Sequence, residues 1–327
     1  MKKSKFSYGI CLVILVLLYG LLVSCQKQAS TPEEMNQPGQ SLQEDSLESS
    51  QGKEELNNGH NAVEDSVTEE MQFEEDTSEK QMGLQQDETE KTVRFEVEPG
   101  DYVSEILSRL VIMGWGENEE ELLRQMETLT VDSERYELWS RISNWEERAF
   151  VAEGYIAPGV YEWSEEATIT EVLEQLLSSW DTILTADMVA QAAEQGYSID
   201  DVLIMASIVE WESSFDPNQI VKPRVAAVVR NRIESETPLQ MDVTIFYLQE
   251  ALEPLKNPQE YEEAYDTYLR STLPAGPIGS PSIESIEAVL SPADTQDLFF
   301  VYDEDGNYYF AEDYEQHLEN CEIAGIY

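Results

Sequence analysis

Ile199-Asp-Asp-Val-Leu-Ile-Met-Ala-Ser-Ile-Val-Glu210-Trp-Glu212-Ser-Ser-Phe-Asp216 is the most apolar stretch outside the N-terminus, and it carries carboxyl groups near its end. Ser198 precedes it and Asp201 follows three residues later, a capping-box signature that predicts a helix start. Val202, Met205, Ala206 and Val209 recur at helical spacing, while Leu203, Ile204 and Ile208 fill much of the remaining circumference. A helix apolar nearly all round is a buried helix. Glu210 falls at its C-terminal end, where the helix dipole disfavours another negative charge. Burial disfavours the ionised form as well. Together they predict a raised pKa and a carboxyl able to donate a proton near neutral pH. The competing reading is a solvated Glu or one paired with a nearby basic side chain such as Arg224, Arg230 or Arg232.

Working outward, the chain of 327 residues opens on a targeting segment. Lys2, Lys3 and Lys5 precede an apolar run from about residue 8 to 23, the layout of a signal peptide. Leu22-Val23-Ser24-Cys25 resembles a bacterial lipobox, which makes Cys25 the expected lipidation site. The alternative is an uncleaved membrane anchor. Either way the rest of the chain is expected outside the cytoplasm, held at the cell membrane. Cys11 lies in the apolar run, so Cys321 is left alone and no disulfide is expected in the mature chain. The two histidines, His60 and His317, cannot assemble a zinc site by themselves, and no metal or cofactor is implied. His317 reads as a packed, hydrogen-bonded histidine.

The formal net charge is −48. Residues 26–91 hold 18 acidic and 4 basic residues, so most of the charge belongs to the rest of the chain. Nucleic-acid binding needs positive charge and is excluded as a function class. A charge-driven contact with anionic lipid or wall polymer is disfavoured for the same reason. Residues 26–91 are rich in Glu, Gln, Ser and Asn with Phe73 as the lone aromatic, which predicts a disordered acidic tether.

Order is expected from Thr92. Val93, Phe95 and Val97 alternate with Arg94 and Glu96, a strand pattern. Helices are predicted at about 102–113 and 119–126, with weak helix at 132–150 carrying Trp139, Ile142 and Trp145 inward. Residues 153–161 read as a Gly/Pro-broken aromatic loop. Thr168 and Thr185 open further helices, and residues 218–233 form an amphipathic one. Leu273-Pro-Ala-Gly-Pro277-Ile-Gly-Ser-Pro281 is a rigid shaped loop. A short helix, a hairpin turning at Asp305-Gly306 and a last helix with His317 complete an α+β, helix-rich fold.

Several motifs then occur in one order. Glu153-Gly-Tyr155-Ile-Ala-Pro158 comes first, then Ala206-Ser-Ile-Val-Glu210-Trp-Glu212-Ser and Val228-Val-Arg-Asn231-Arg232. Pro238-Leu-Gln240-Met-Asp242-Val-Thr244, Tyr265-Asp-Thr-Tyr268 and Leu273-Pro-Ala-Gly276-Pro277-Ile follow. Ala288-Val-Leu-Ser-Pro292, Phe299-Phe-Val and Glu315-Gln-His317 close the series. The set resembles the endolytic murein transglycosylase (MltG, YceG-like) family over most of 92–327. The resemblance implies a catalytic Glu at Glu210. It also implies a glycan cleft lined by Glu212, Asn231, Gln240, Asp242, Thr244, Tyr247, Tyr268 and Pro277. It divides the chain into 1–25 signal peptide, 26–91 tether, 92–160 LysM-like unit with connecting helices, and 161–327 catalytic domain. Trp211, Val243 and Asp266 depart from residues common in the family (Lys, Pro and Asn), at positions bearing on substrate contacts.

The implied reaction cleaves the bond between N-acetylmuramic acid and N-acetylglucosamine in peptidoglycan glycan strands without water, leaving a 1,6-anhydro end. One acid/base group suffices because the substrate supplies its own nucleophile. Peptidoglycan synthases would be its working partners. A hydrolase would need two carboxyl groups at a set separation. Two positions on an ideal helix are about 200° apart, so Glu212 is expected to point away from Glu210 and to orient or support. For Asp242, capping the following helix competes with binding. For Tyr268 and the 274–281 loop, packing competes with shaping the cleft. The runner-up functions are a non-catalytic wall-binding scaffold lipoprotein and a two-carboxylate muramidase.

Overall fold

The computed structural model describes residues 91–326, apart from 132–141, 143, 217, 219 and 254. The signal peptide, Cys25, the tether as far as Glu90, and Trp139 lie outside the described residues. Strand β1 (Thr92–Val97) buries Phe95 and Val97 and exposes Arg94 and Glu96, as the alternation predicts. Helices α1 (Val103–Ile112) and α2 (Glu119–Val131) follow. The expected weak helix reduces, within the described residues, to a single turn at Trp145–Glu147, with Ile142 buried.

A second strand, β2 (Gly159–Ser164), stands where a loop was expected. It runs antiparallel to β1, pairing Thr92 with Ser164 and Val97 with Gly159. Its Tyr161 and Trp163 alternate inward, but the run is short and its partner strand lies far upstream in sequence, so local pattern alone does not reveal it. The division expected between 160 and 161 falls inside this strand. One continuous cluster of buried side chains reaches from Phe95 to Leu290, so the N-terminal unit and the helices after it share a core.

Helices α3 (Ile169–Leu177) and α4 (Ala186–Glu194) carry the predicted caps, Thr168 and Thr185. Helix α5 (Ile199–Glu212) is the core element. The Ser198 hydroxyl accepts from Asp201 N at 3.1 Å and the Asp201 carboxylate accepts from Ser198 N at 2.8 Å, closing the capping box. Val202, Leu203, Ile204, Met205, Ile208 and Val209 are all buried. Each such burial is worth about 1.5–3 kcal/mol of transfer free energy before chain entropy is set against it. Around α5 pack α4, α6 (Lys222–Glu234), the short α7 (Asp242–Phe246) and, beyond a short α8 (Glu262–Tyr265), α9 (Ile283–Leu290). The hairpin β3 (Phe299–Tyr302) and β4 (Tyr308–Ala311) pairs Phe299 with Ala311, and α10 (Tyr314–Ile323) packs on both strands.

The N-terminal unit is tied both to the Pro/Gly loop and to α5. Gly100 N donates to Ser280 O at 2.7 Å and Ser280 N to Asp101 O at 2.9 Å. Pro277 lies on Gly154, where an added Cβ would meet it at 2.3 Å, so no side chain fits. Arg148, buried, pairs with Asp200 in the first turn of α5 at 2.5 Å, and Tyr155 donates to the same carboxylate at 2.5 Å.

Candidate active site

Helix α5 delivers Glu210 and Glu212 from its last turn to two different places. Glu210 faces the start of α9. Its Oε2 accepts from Ser282 N at 3.0 Å, from Ser285 Oγ at 2.6 Å and from the Ser282 hydroxyl. Lys222, in the first turn of α6, reaches both carboxylate oxygens at 3.0 and 3.1 Å and the Ser282 Oγ at 2.9 Å. The Lys222 side chain is 4% exposed and that of Glu210 11%, so the pair is nearly closed from solvent with one edge open. Asp216 builds the loop that presents Lys222. Its Oδ2 accepts from Ile220 N and Val221 N, and its Oδ1 from Asn218 N.

These partners overturn the raised pKa expected for Glu210. Burial is the largest single influence and pushes the pKa up, but the Ser282 and Ser285 hydroxyls, the Lys222 ammonium and the Ser282 N–H together outweigh it. The net shift is downward, and the resting group is a carboxylate. The dipole of α5 argued for a proton; the donors brought to it by α6 and α9 remove the need for one. No sequence signal marked Lys222, Ser282 or Ser285 as partners, because they lie 12 to 75 residues away in the chain.

Glu212 has the opposite fate. It is buried and lines a cavity of about 90 Å³ between α6, α7, the hairpin and α10, together with Arg232, Gln240, Asp242, Phe299 and His317. Burial, and then the neighbouring Asp242 carboxylate, push its pKa up to about 8 against the lowering effect of Val243 N–H and Arg232. Glu212 is therefore a neutral acid at pH 7. The two carboxyl groups point apart, as two positions on one helix require.

The other expected cleft residues divide. Gln240 and Asp242 line the cavity, and Tyr268 donates to Asp242 Oδ1 at 2.6 Å. Gln240 holds a left-handed backbone, φ 52°, in a residue that gains nothing from it locally. Such strain costs on the order of 1–3 kcal/mol and persists where the surroundings impose it. Four residues expected in the cleft are committed elsewhere. Asn231 Nδ2 donates to the Thr295 and Asp297 carbonyls at 2.9 Å each and ties that loop to α6. Thr244 is fully buried, its hydroxyl donating to Met241 O at 2.9 Å. Tyr247 is fully buried, packed between Tyr102 and Tyr265. Pro277 is buried on Gly154. Thr244, Tyr247 and Pro277 are buried, while Asn231 is partly exposed.

Helix α5 thus ends on a nearly closed carboxylate on one side and a second, buried carboxyl beside a small cavity on the other. The chain belongs to the YceG-like family, whose model matches residues 36–323. It is 28% identical over 176 residues to the endolytic murein transglycosylase of Streptococcus pneumoniae serotype 2, covering 51% of this chain and 31% of that protein. It is 26% identical over 167 residues to the endolytic murein transglycosylase of Bacillus subtilis, covering 50% and 46%. The chain thus spans less than half the length of these relatives. The fold is similar to the crystal structure of a YceG-like protein from Listeria monocytogenes, with a TM-score of 0.58 at 22% identity over 69% of this chain and 74% of that one.

Proposed function

We propose that this protein is an endolytic peptidoglycan lytic transglycosylase in which Glu210 is the single acid/base group. The observation that carries the proposal is the setting of Glu210. It lies inside the family-matched span, at the end of the buried helix, with four donors on its oxygens and one edge open. The carboxylate is the form needed in the second half of the reaction, where it takes the proton of the muramic C6 hydroxyl as that oxygen closes onto C1. The first half needs the acid, which protonates the glycosidic oxygen as its bond to C1 breaks. A glycan covering the open edge removes the remaining water and strengthens burial, already the largest influence on this carboxyl. That favours uptake of a proton by Glu210 before the glycosidic bond breaks.

The apolar N-terminal run and Cys25 support an extracytoplasmic enzyme tethered to the bacterial cell membrane. The order β1-α1-α2-β2 around an antiparallel pair supports a LysM-like N-terminal unit. Nascent glycan strands would be the substrate, with peptidoglycan synthases working alongside. A second reading, the muramidase that uses Glu210 and Glu212 as a pair, draws on the opposite protonation of the two carboxyls.

The test incubates the full chain and its Glu210→Gln variant with peptidoglycan and reads the products by mass spectrometry. Anhydro-muramic ends from the parent and none from the variant are the expected result. Reducing ends would favour the muramidase. Binding without cleavage by either would favour a scaffold.

A further inference from the structure

We propose that Ser285 is a positioning residue for the acid/base step: together with Ser282 it occupies Oε2 of Glu210, so that the proton exchanged with the glycan is carried on Oε1. This assignment rests on the transglycosylase reading for its reaction and on the contacts of Glu210 for its geometry.

The two oxygens of Glu210 are not equivalent. Oε2 accepts from Ser282 N and Lys222 Nζ at 3.0 Å each, from Ser285 Oγ at 2.6 Å and from the Ser282 hydroxyl. Oε1 accepts from Lys222 Nζ at 3.1 Å and, among the described residues, from nothing else. A carboxylate offers about four lone-pair sites over its two oxygens. The donors on Oε2 fill its share, and a proton added there would face their hydrogens. A proton taken up by Glu210 therefore belongs on Oε1, and the open edge of the carboxyl is its Oε1 edge.

One turn of α9 builds the Oε2 side. Ser282 caps the helix, and its Oγ accepts from Ser285 N at 3.3 Å, which fixes the two hydroxyls relative to each other. Ser285 is fully buried, and its single hydroxyl hydrogen goes to Oε2 in a short, charge-assisted bond. The positive end of the α9 dipole lies on the same side. After burial, which raises the pKa of Glu210, the Ser282 and Ser285 hydroxyls are the largest influences on it, and both lower it, ahead of Lys222. Lys222 is a different kind of partner. Its Nζ reaches both oxygens and, at 2.9 Å, Ser282 Oγ, so it can release Oε1 and keep two acceptors.

In the first half of the reaction the proton on Oε1 passes to the glycosidic oxygen as the bond to C1 breaks, and the electron pair of that bond goes to the leaving oxygen. In the second half Oε1 takes the proton of the C6 hydroxyl while that oxygen forms its bond to C1. The proton on Glu210 is restored, no water is consumed, and Oε2 keeps its donors throughout. Ser285 acts through Glu210, holding the carboxyl so that one oxygen makes both transfers.

Soluble glycan strands are digested by the full chain and by its Ser285→Ala and Ser285→Thr variants, with kcat and KM followed across pH. Ser285→Ala should lower the pH-independent maximum of kcat by about 10–10²-fold with KM unchanged, since the reacting oxygen loses its fixed direction. The limb of the profile set by Glu210 should move to higher pH, because a carboxylate loses a donor. Ser285→Thr, which keeps the hydroxyl, should restore both. A serine that only packs would leave the pH profile in place. An unchanged or raised maximum would overturn the assignment, because a proton carried on Oε2 competes with the Ser285 hydroxyl and gains from its removal. Urea unfolding across pH reads the same contact without turnover and without the threonine variant. The stability contributed by the Glu210 carboxylate should be lost at a higher pH in Ser285→Ala than in the parent, and the difference should vanish when Glu210→Gln is added. No difference there would equally overturn it. Absence of anhydro-muramic ends from the parent is a separate failure, and it would sink the transglycosylase reading instead.

Discussion

Glu210 and Glu212 leave the same helix turn two residues apart, yet one is held as a carboxylate and the other as an acid. Glu212 is buried and Glu210 nearly so, and burial is the first influence on each. The difference is what the rest of the chain brings. Glu210 meets an ammonium, two hydroxyls and a backbone N–H; Glu212 meets one backbone N–H, a more distant guanidinium and a second carboxylate. Position on a helix fixes the direction of a side chain and the sign of the dipole it feels. It does not fix protonation, because a dipole contribution of about 0.3–1 kcal/mol is small beside several direct hydrogen bonds and an ion pair at 3 Å.

The sharpest break between the two carboxyls is catalytic. Glu210→Gln should lower the rate of anhydro-product formation by about 10²–10⁴-fold, the usual contribution of a general acid/base, while Glu212→Gln loses far less. Equal losses would return the chemistry to the pair. Next comes Lys222→Met. Removing one partner of a buried ion pair costs about 3–5 kcal/mol when the other stays charged. Glu210 has an escape, since without Lys222 its pKa rises and it takes up a proton. The sign follows from the depressed pKa. In the parent, Glu210 contributes stability above the carboxyl's unfolded pKa, and that contribution is lost as the pH falls through the lower folded value. The variant should therefore be destabilised most at pH 7 and least near pH 4 in urea unfolding, with the acidic limb of its activity profile moved to higher pH. A pH-independent loss would mean that Lys222 contributes packing alone.

Much of this molecule was legible in its sequence, for identifiable reasons. The caps Ser198, Thr168 and Thr185 act on residues three positions away, so local spacing reports them faithfully. The hairpin around Asp305-Gly306 is equally local. Strand β2 was not legible, because its pairing joins residues as distant in sequence as Val97 and Gly159 or Thr92 and Ser164. In the candidate site, the opposed directions of Glu210 and Glu212 followed from helical geometry alone. The depressed pKa of Glu210 did not, since Lys222, Ser282 and Ser285 reach it only through the fold. Asn231, Thr244 and Tyr247 have residue types suited to sugar binding, but type does not reveal that their polar atoms or rings are already committed to neighbours within the protein.

A third carboxyl extends the comparison into stability. Glu153 is fully buried, accepts from Val103 N at 3.1 Å at the start of α1, and has a pKa pushed up to about 8 by burial, as Glu212 has. For both, the folded value lies well above that of a free glutamate. Their neutral forms suit the fold below the unfolded pKa, and stability is lost as the pH rises from there through about 8. At 1.36 kcal/mol per pKa unit, the rise to about 8 is worth about 5 kcal/mol for each carboxyl and on the order of 10 kcal/mol for the two as an upper limit. Unfolding midpoints between pH 5 and 9 should fall with pH in the parent and fall less steeply in Glu153→Gln, whose side chain cannot ionise. Identical slopes would assign the pH dependence to the general acidity of the surface.

The smallest expected effect concerns the residue between the two carboxyls. Trp211 stands where Lys is common in the family, and its indole lies against the N-terminal unit. It stacks on Tyr102 with ring centroids 5.2 Å apart and planes 11° from parallel, and it covers Gly100 and Gly279. A Cβ at Gly279 would come within 3.0 Å of the indole nitrogen, so the glycine and the tryptophan fit each other. The substitution thus has a packing role at the junction between α5 and the turn after β1. Trp211→Lys removes a stacked aromatic pair worth about 0.5–1.5 kcal/mol beyond its buried area. Thermal unfolding should report a loss near 1–2 kcal/mol, while the product spectrum of the enzyme stays unchanged. If anhydro-product formation fell by more than the stability loss explains, Trp211 would belong with Glu210 in contacting the glycan.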